Sequence, residues 1–285
     1  MPADEDPKRF PLSRDELLRA LAAPGGLWSD LRLVERTGST NADVRAAALA
    51  GAPEGLVVVA EEQSQGRGRL GREWQSPPRA GLTFSVLLRP ADVPAAAWGW
   101  LPLVVGVALA TALRRHAGVD ALLKWPNDVL VAERKLAGVL VERVDDLDHV
   151  DGPAAVVGVG VNVLQRADEL PVPTATSLAL AGATSTDRAA LLRAALHELA
   201  GRYGQWRVAA GDVERAGLRA EYRDLSASLG RPVRISLPDG GLLEGTAADV
   251  DSSGRLVLRD AGGGIAALSA GDVVHVRTPA AAGGA

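Results

Sequence analysis

Short apolar runs, each closed by a polar break carrying glycine, proline or asparagine, fill positions 31–163, and apolar residues at helical spacing follow them. Residues 31–35 alternate as a short strand, Gly38-Ser39-Thr40-Asn41 breaks it, and 41–50 is an Ala-rich helix stopped by Gly51 and Pro53. The run 56–60 reads as a buried strand, and 82–88, 121–124, 129–132, 136–144 and 154–163 read as further strands. The longest apolar stretch, 98–113, is interrupted by Gly99, Pro102 and Gly106 and closed by Arg114, Arg115 and His116. It falls short of the ~20 residues of a membrane span, which predicts a buried helix. Helices are also predicted over 187–210 and 213–229. A short one starts after Ser13, where Glu16 completes a capping-box pattern, and ends at Pro24-Gly25-Gly26.

This order predicts an α+β fold. Residues 1–26 form an N-terminal tail with a short helix, 27–229 one domain around a mixed sheet, and 279–285 a flexible tail. Between them, 230–278 carries β-branched segments punctuated by Pro238-Asp239-Gly240, Asp251-Ser252-Ser253-Gly254 and a turn at 260–264, which predicts a small all-β barrel or sandwich.

With 47% apolar and 23% charged residues, the composition excludes collagen, coiled coil and wholesale disorder. A net charge of -4 offers nucleic acid or an anionic membrane no attractive field, so neither is an expected partner. The absence of cysteine removes disulfides, thiolate metal sites and a cysteine nucleophile. The charged, Pro-containing N-terminus lacks the apolar run of a secretory signal, so a cytoplasmic protein is expected.

Scarce residue types direct attention to particular positions. Lysine occurs only at Lys8, Lys124 and Lys135 among 31 basic residues, and asparagine only at Asn41, Asn127 and Asn162. An ammonium is a compact point charge and a guanidinium a wide planar fork, so retained lysines beside apolar segments suggest a tight anion site. Gly66-Arg67-Gly68-Arg69-Leu70-Gly71-Arg72 directly follows a predicted strand, and its glycines and arginines suit it to wrap a phosphate or carboxylate, with Trp74 placed to cover a bound ring. Its spacing is neither that of a P-loop nor that of a dinucleotide fingerprint. Three glycines and three like charges predict a loop that is mobile without ligand. Lys124-Trp125-Pro126-Asn127-Asp128 combines a phosphate-binding cation with a carboxylate able to hold Mg²⁺. Lys135-Leu136-Ala137-Gly138 and Gly158-Val159-Gly160-Val161-Asn162 place glycines where a ligand could lie on bare backbone. The four histidines lie apart, without metal-ligand spacing.

In this order, with Lys135-Leu136-Ala137-Gly138-Val139-Leu140-Val141-Glu142 between the second and last, these segments resemble the biotin protein ligase family over roughly residues 30–180. The resemblance implies a mixed-sheet biotin/lipoate ligase-type catalytic domain, like that of class II aminoacyl-tRNA synthetases, and an SH3-like C-terminal β-barrel. It implies ATP and biotin as substrates, Mg²⁺ as cofactor, and a biotin carboxyl carrier domain of an acyl-CoA carboxylase as partner. Ser39, Thr40, Asn41, Gln63, Gly66, Arg67, Gly68, Arg69, Lys135, Gly138 and Gly158 would then bind biotin. Arg69, Arg72, Trp74, Lys124, Asn127, Asp128 and Asn162 would bind ATP, with Asp128 toward Mg²⁺ and with Lys135 and Arg69 serving the reacting groups. Fewer than 35 residues precede the first core strand, too few for the winged helix-turn-helix of some regulatory members, so a ligase without repressor activity is expected. A lipoate-protein ligase, which shares the fold and chemistry, is the nearest alternative. A nucleic-acid-binding module built on the arginine loop is a more distant one.

Overall fold

The computed structural model describes residues 9–21, 26–145 and 152–275. Helix α1 (Arg14–Leu21) leads into β1 (Asp30–Thr37), α2 (Thr40–Leu49), β2 (Leu56–Gln63) and β3 (Gly81–Leu88). Then come α3 (Leu101–Ala117), β4 (Leu122–Lys124), β5 (Asp128–Val131), β6 (Arg134–Val144) and β7 (Ala154–Asn162). Helices α4 (Arg188–Val208) and α5 (Leu218–Leu225) follow, and β8 (Pro232–Ser236), β9 (Leu242–Val250), β10 (Leu256–Arg259), β11 (Ile265–Leu268) and β12 (Asp272–His275) complete the fold.

The first seven strands form one mixed sheet in the order β1-β2-β3-β7-β6-β5-β4. Only β1 and β2 run parallel, because α2 carries the chain back between them; every other neighbour is antiparallel. Every residue of the central strand β7 is buried, which explains its nearly continuous apolar run. One face carries the main core with α1, α3, α4 and α5. On the other, Val44 and Ala48 of α2 pack on Val58, Leu87, Val144, Ala154 and Val156. Helix α2 covers only part of this face. Cross-strand register continues it beyond the helix N-terminus through Ser85, Gly158 and Leu140 to Thr83, Gly160 and Gly138.

Two helices differ from expectation. A 3-10 turn over Ala95–Trp100 runs straight into α3, so the apolar helix is longer than its interruptions suggest: Pro102 sits in the first turn, where a missing N–H costs nothing, and Gly118 ends the helix in the left-handed conformation. The combined element, Ala95–Ala117, is long and apolar enough by length and composition to cross a membrane, yet its apolar side chains from Trp100 to Leu113 pack in the core. The helix expected over 213–229 is only α5: Gly217 at φ 73° separates it from the turn capped by Asp212, and after Ser226 the chain pairs with β4, Ala227 N donating to Leu123 O at 2.7 Å. At α1, Ser13 Oγ accepts from Glu16 N at 3.4 Å, but the Glu16 carboxylate turns to Arg193, so half of the capping box forms. The Pro24-Gly25 stop, most of an acidic turn at 145–151 and the 279–285 tail lie outside the described residues.

The last five strands form an antiparallel sheet in the order β11-β10-β9-β8-β12. Its turns are side-chain-capped as their composition predicts: Asp239 accepts from Gly241 N, Asp251 from Ser253 N and Arg255 N, and Asp260 from Gly262 N and Gly264 N, all at 2.8–3.0 Å. Trp100 and Trp125 tie this sheet to the first, their indole N–H groups donating to Asp251 O at 2.9 Å and Gly254 O at 3.0 Å.

Candidate functional site

A cavity of about 290 Å³ occupies the part of the sheet face that α2 leaves uncovered. The N-terminus of α2 closes one end, the arginine segment roofs it, and β12 joins the turn at 125–128 along its side. Every residue proposed from the sequence lines it except Gly66 and Asn162.

The arginine segment is a hairpin with a defined fold. Gly68 N donates to Arg72 O at 2.7 Å and Trp74 N to Gly66 O at 2.9 Å, while Arg72 N closes on Arg69 O at 3.2 Å. Leu70 (φ 56°, ψ 37°) and Gly71 (φ 73°) supply the two consecutive left-handed residues of a type I′ turn. Holding Leu70 there costs about 1–2 kcal/mol. Gly66 sits at the hairpin base, where a Cβ would lie 2.3 Å from Trp74 O. Two of its three arginines have side-chain partners: Arg72 pairs with Asp272 of β12, and Arg69 Nη1 donates to Asn127 Oδ1 at 3.2 Å.

At the α2 end the lining is neutral and polar. Ser39 occupies the N-cap position without making a side-chain cap, so its buried hydroxyl remains available. Gln63 Oε1 accepts from Thr40 N at 2.8 Å and from Thr40 Oγ1 at 3.0 Å. Beneath them Ser85, 0% exposed, places Oγ 2.7 Å from Thr40 Oγ1 and 2.6 Å from Asn41 Oδ1, and Asn41 Nδ2 donates to Glu142 Oε2 at 2.6 Å. Thr40 gives its hydroxyl proton to Gln63, so the single proton of Ser85 faces two acceptors. The cluster has one acceptor too many for its protons.

The opposite end is charged. Asp128 Oδ1 lies 2.6 Å from Lys135 Nζ and Oδ2 4.0 Å from Lys124 Nζ. Asn127 is fixed by Nδ2 donating to Val139 O at 2.7 Å, and Lys135 by backbone hydrogen bonds with Thr174 and Thr176, both 2.8 Å. Arg67, Arg69, Arg72, Lys124 and Lys135 line the cavity against Glu73, Asp128 and Asp272, an excess of cations suited to anions. Burial lowers the pKa of Arg69 and of Lys124; Asp128 opposes this in both, while Arg72 reinforces it in both and Lys135 at Lys124.

Gly158 and Gly160 line the cavity and also make room for protein side chains. A Cβ on Gly158 would fall 2.1 Å from Asn41 Oδ1, and one on Gly160 would fall 2.3 Å from the Trp74 ring. Trp74 also reaches Gly138, and Lys135 Nζ stands 5.9 Å from its ring centroid. Asn162, 4% exposed, is turned away: Nδ2 donates to Thr176 O at 2.9 Å and Oδ1 accepts from Gln165 at 3.2 Å. The sequence reading missed Ser85, Glu142 and Asp272. Ser85 was visible as the serine inside an apolar strand and Glu142 as the end of a quoted motif, whereas nothing local marks Asp272.

Residues 33–162 match the Biotin/lipoate A/B protein ligase family and 228–276 match the Biotin protein ligase C terminal domain. The chain is 44% identical to the biotin--[acetyl-CoA-carboxylase] ligase of Mycobacterium tuberculosis, over 96% of this chain and 99% of that protein. It is 34% identical to the ligase of the same name from Paracoccus denitrificans, over 81% of this chain and 95% of that one. Among solved structures, the biotin protein ligase from Aquifex aeolicus in complex with biotin and ATP aligns with a TM-score of 0.70 at 27% identity, covering 88% of this chain and 100% of that one. Similarity that runs through both sheets, at nearly full length, places the chain in the biotin protein ligase family.

Proposed function

We propose that this protein is an ATP-dependent biotin protein ligase. A biotin carboxylate oxygen attacks the α-phosphorus of ATP, the bond to the β-phosphate oxygen breaks, and biotinyl-5'-AMP and pyrophosphate form. The neutral ε-amine of a lysine on a biotin carboxyl carrier domain of an acyl-CoA carboxylase then attacks the acyl carbon, AMP departs, and the amine loses a proton to leave an amide. In this reading 27–229 is the catalytic domain, 230–278 a small β domain, and the protein works in the cytoplasm.

The observation that carries the reading is the polarity of the cavity: a neutral end one proton short at Thr40, Asn41 and Ser85, and a cation-lined end at Lys135, Arg69 and Lys124. Biotin has the complementary ends, a ureido ring with N–H donors and a carboxylate. The dithiolane ring of lipoate offers sulfur and no N–H, which favours biotin over lipoate.

Ser39, Thr40, Asn41 and Gln63 receive the ring, while Arg67 and Gly68 close over the tail. Lys135 and Arg69 neutralise the carboxylate and α-phosphate, whose mutual repulsion is the main barrier to their approach. Arg72, Lys124 and Asn127 hold the remaining phosphates, and Trp74 offers a ring face to the base. Asn162 serves this site only through the 174–176 segment that brackets Lys135.

The residues present do not form a resident Mg²⁺ site. Both Asp128 oxygens face lysine ammoniums, and no group of three potential metal ligands occurs among the described residues. Mg²⁺ is expected to arrive on the nucleotide phosphates, and no step is assigned to it.

Pyrophosphate exchange into ATP, measured with biotin, with lipoate and without acid, tests the reading. Biotin-dependent exchange is expected. Exchange with lipoate alone would instead make the protein a lipoate ligase.

A further inference from the structure

Glu142 projects from β6 two residues beyond Leu140, on the sheet face that carries the cavity, and its Oε2 accepts from Asn41 Nδ2 at 2.6 Å. Among the described residues no lysine or arginine pairs with it, so its contact with Asn41 is not the by-product of an ion pair. Asn41 in turn lies flat on Gly158, where no Cβ would fit, and its Oδ1 faces Ser85 Oγ at 2.6 Å.

The two orientations of the Asn41 amide have different proton counts. Turned over, Asn41 Nδ2 would donate to Ser85, Ser85 to Thr40 and Thr40 to Gln63, and every contact in the cluster would hold a proton. That arrangement leaves no demand for a donor from outside, but it would point the Asn41 oxygen at the Glu142 carboxylate, two acceptors at hydrogen-bond distance. As found, Glu142 takes the amide N–H, the oxygen faces Ser85, and the cluster stays one proton short.

We propose that Glu142 is a positioning residue that sets substrate specificity: through the Asn41 amide it holds the ring end of the cavity in an acceptor-rich state that favours acids whose ring carries N–H donors. This rests on reading the cavity as the biotin site. Glu142 acts through charge and acceptor character, not through shape, and that distinction is measurable.

The test is pyrophosphate exchange by the full chain, comparing wild type, Glu142→Gln, Glu142→Asp and Asn41→Ala. Glutamine keeps the shape but can meet either face of the amide, so E142Q is expected to raise KM for biotin about 10-fold, the typical loss for a hydrogen bond to a charged group. KM for ATP should stay within about 2-fold. Aspartate is shorter but keeps the charge, so E142D is expected to bind biotin better than E142Q does. In an N41A background, adding E142Q should change KM for biotin by less than about 2-fold, because the relay is already cut. A structural role for Glu142 predicts the reverse ranking, with E142Q near wild type and E142D impaired. That ranking, or full additivity with N41A, overturns this inference and leaves the biotin reading intact. No biotin-dependent exchange in the wild type overturns both.

Discussion

Lys135 Nζ and Asp128 Oδ1 stand 2.6 Å apart, and the other Asp128 oxygen lies 4.0 Å from Lys124 Nζ, so one carboxylate holds two ammoniums at the same end of the cavity. The arrangement keeps two compact cations together without a substrate anion, with the carboxylate offsetting their mutual repulsion. On the proposed function, an incoming phosphate or carboxylate would take over part of the role of Asp128.

Lys135→Ala should therefore lower the rate of biotin-dependent pyrophosphate exchange by about 100- to 1,000-fold, the usual cost of removing one preorganised charge-stabilising group. Lys135→Arg should not restore it, because a wide planar fork does not reproduce the compact point charge that stands 2.6 Å from Asp128 Oδ1. Steady-state kcat and KM for both substrates check this.

Lys124 has a lowered pKa from burial first, with Lys135 and Arg72 adding to it against the opposition of Asp128. A lysine whose folded pKa lies below its unfolded value binds fewer protons in the folded state. Its burial penalty is thus fully present at neutral pH and is relieved as pH rises from that lowered pKa through 10.5. Lys124→Met should gain stability over wild type near neutrality, and the gain should shrink as pH rises through that window. Thermal unfolding of both proteins across this range measures the difference; a gain independent of pH would refute the assignment.

Gly160→Ala should cost about 1–3 kcal/mol, because the new methyl meets the Trp74 ring. In a Trp74→Ala background the same change should cost far less. Denaturant unfolding of the four proteins closes the cycle.

Arg188 and Glu61 form a buried ion pair at 2.5 Å, with side chains 4% and 2% exposed. The pair also anchors the N-terminal segment, Glu61 accepting from Leu12 N and Arg188 donating to Phe10 O. Arg188→Met leaves a buried carboxylate without its cation and should destabilise the fold by about 3–5 kcal/mol, read by urea denaturation.

Arg72 and Asp272 are both partly exposed, so their pair adds little global stability, less than about 1 kcal/mol. Its effect should be local. Asp272→Ala should increase proteolytic cleavage within 66–72, and biotin with ATP should suppress cleavage in both proteins. Equal cleavage of wild type and variant would show that β12 does not hold the hairpin.

Much of this arrangement is legible in the amino-acid sequence. β2, β3 and β7 appeared as apolar runs because they are buried along nearly their whole length, and the turns announced themselves through Asp and Gly that cap their own backbone. The scarcity of lysine and asparagine pointed to Lys124, Lys135, Asn41 and Asn127, all of which line the cavity. The same logic failed for Asn162, because rarity marks a residue as constrained without saying by what; here the constraint is Thr176 and Gln165.

Most elements, their order and the chemical types at the site are set along the chain, since helical and strand periodicity, turn chemistry and charge are local properties. Tertiary structure alone decided which acceptor Asn41 faces, which side chains occupy the space above Gly158 and Gly160, and that Asp272 meets Arg72 across 200 positions. Those contacts follow from sheet register and from the docking of one sheet on another. Register brings together residues with no common local signal, so only the assembled fold shows that Glu142 meets the Asn41 amide beside the cavity.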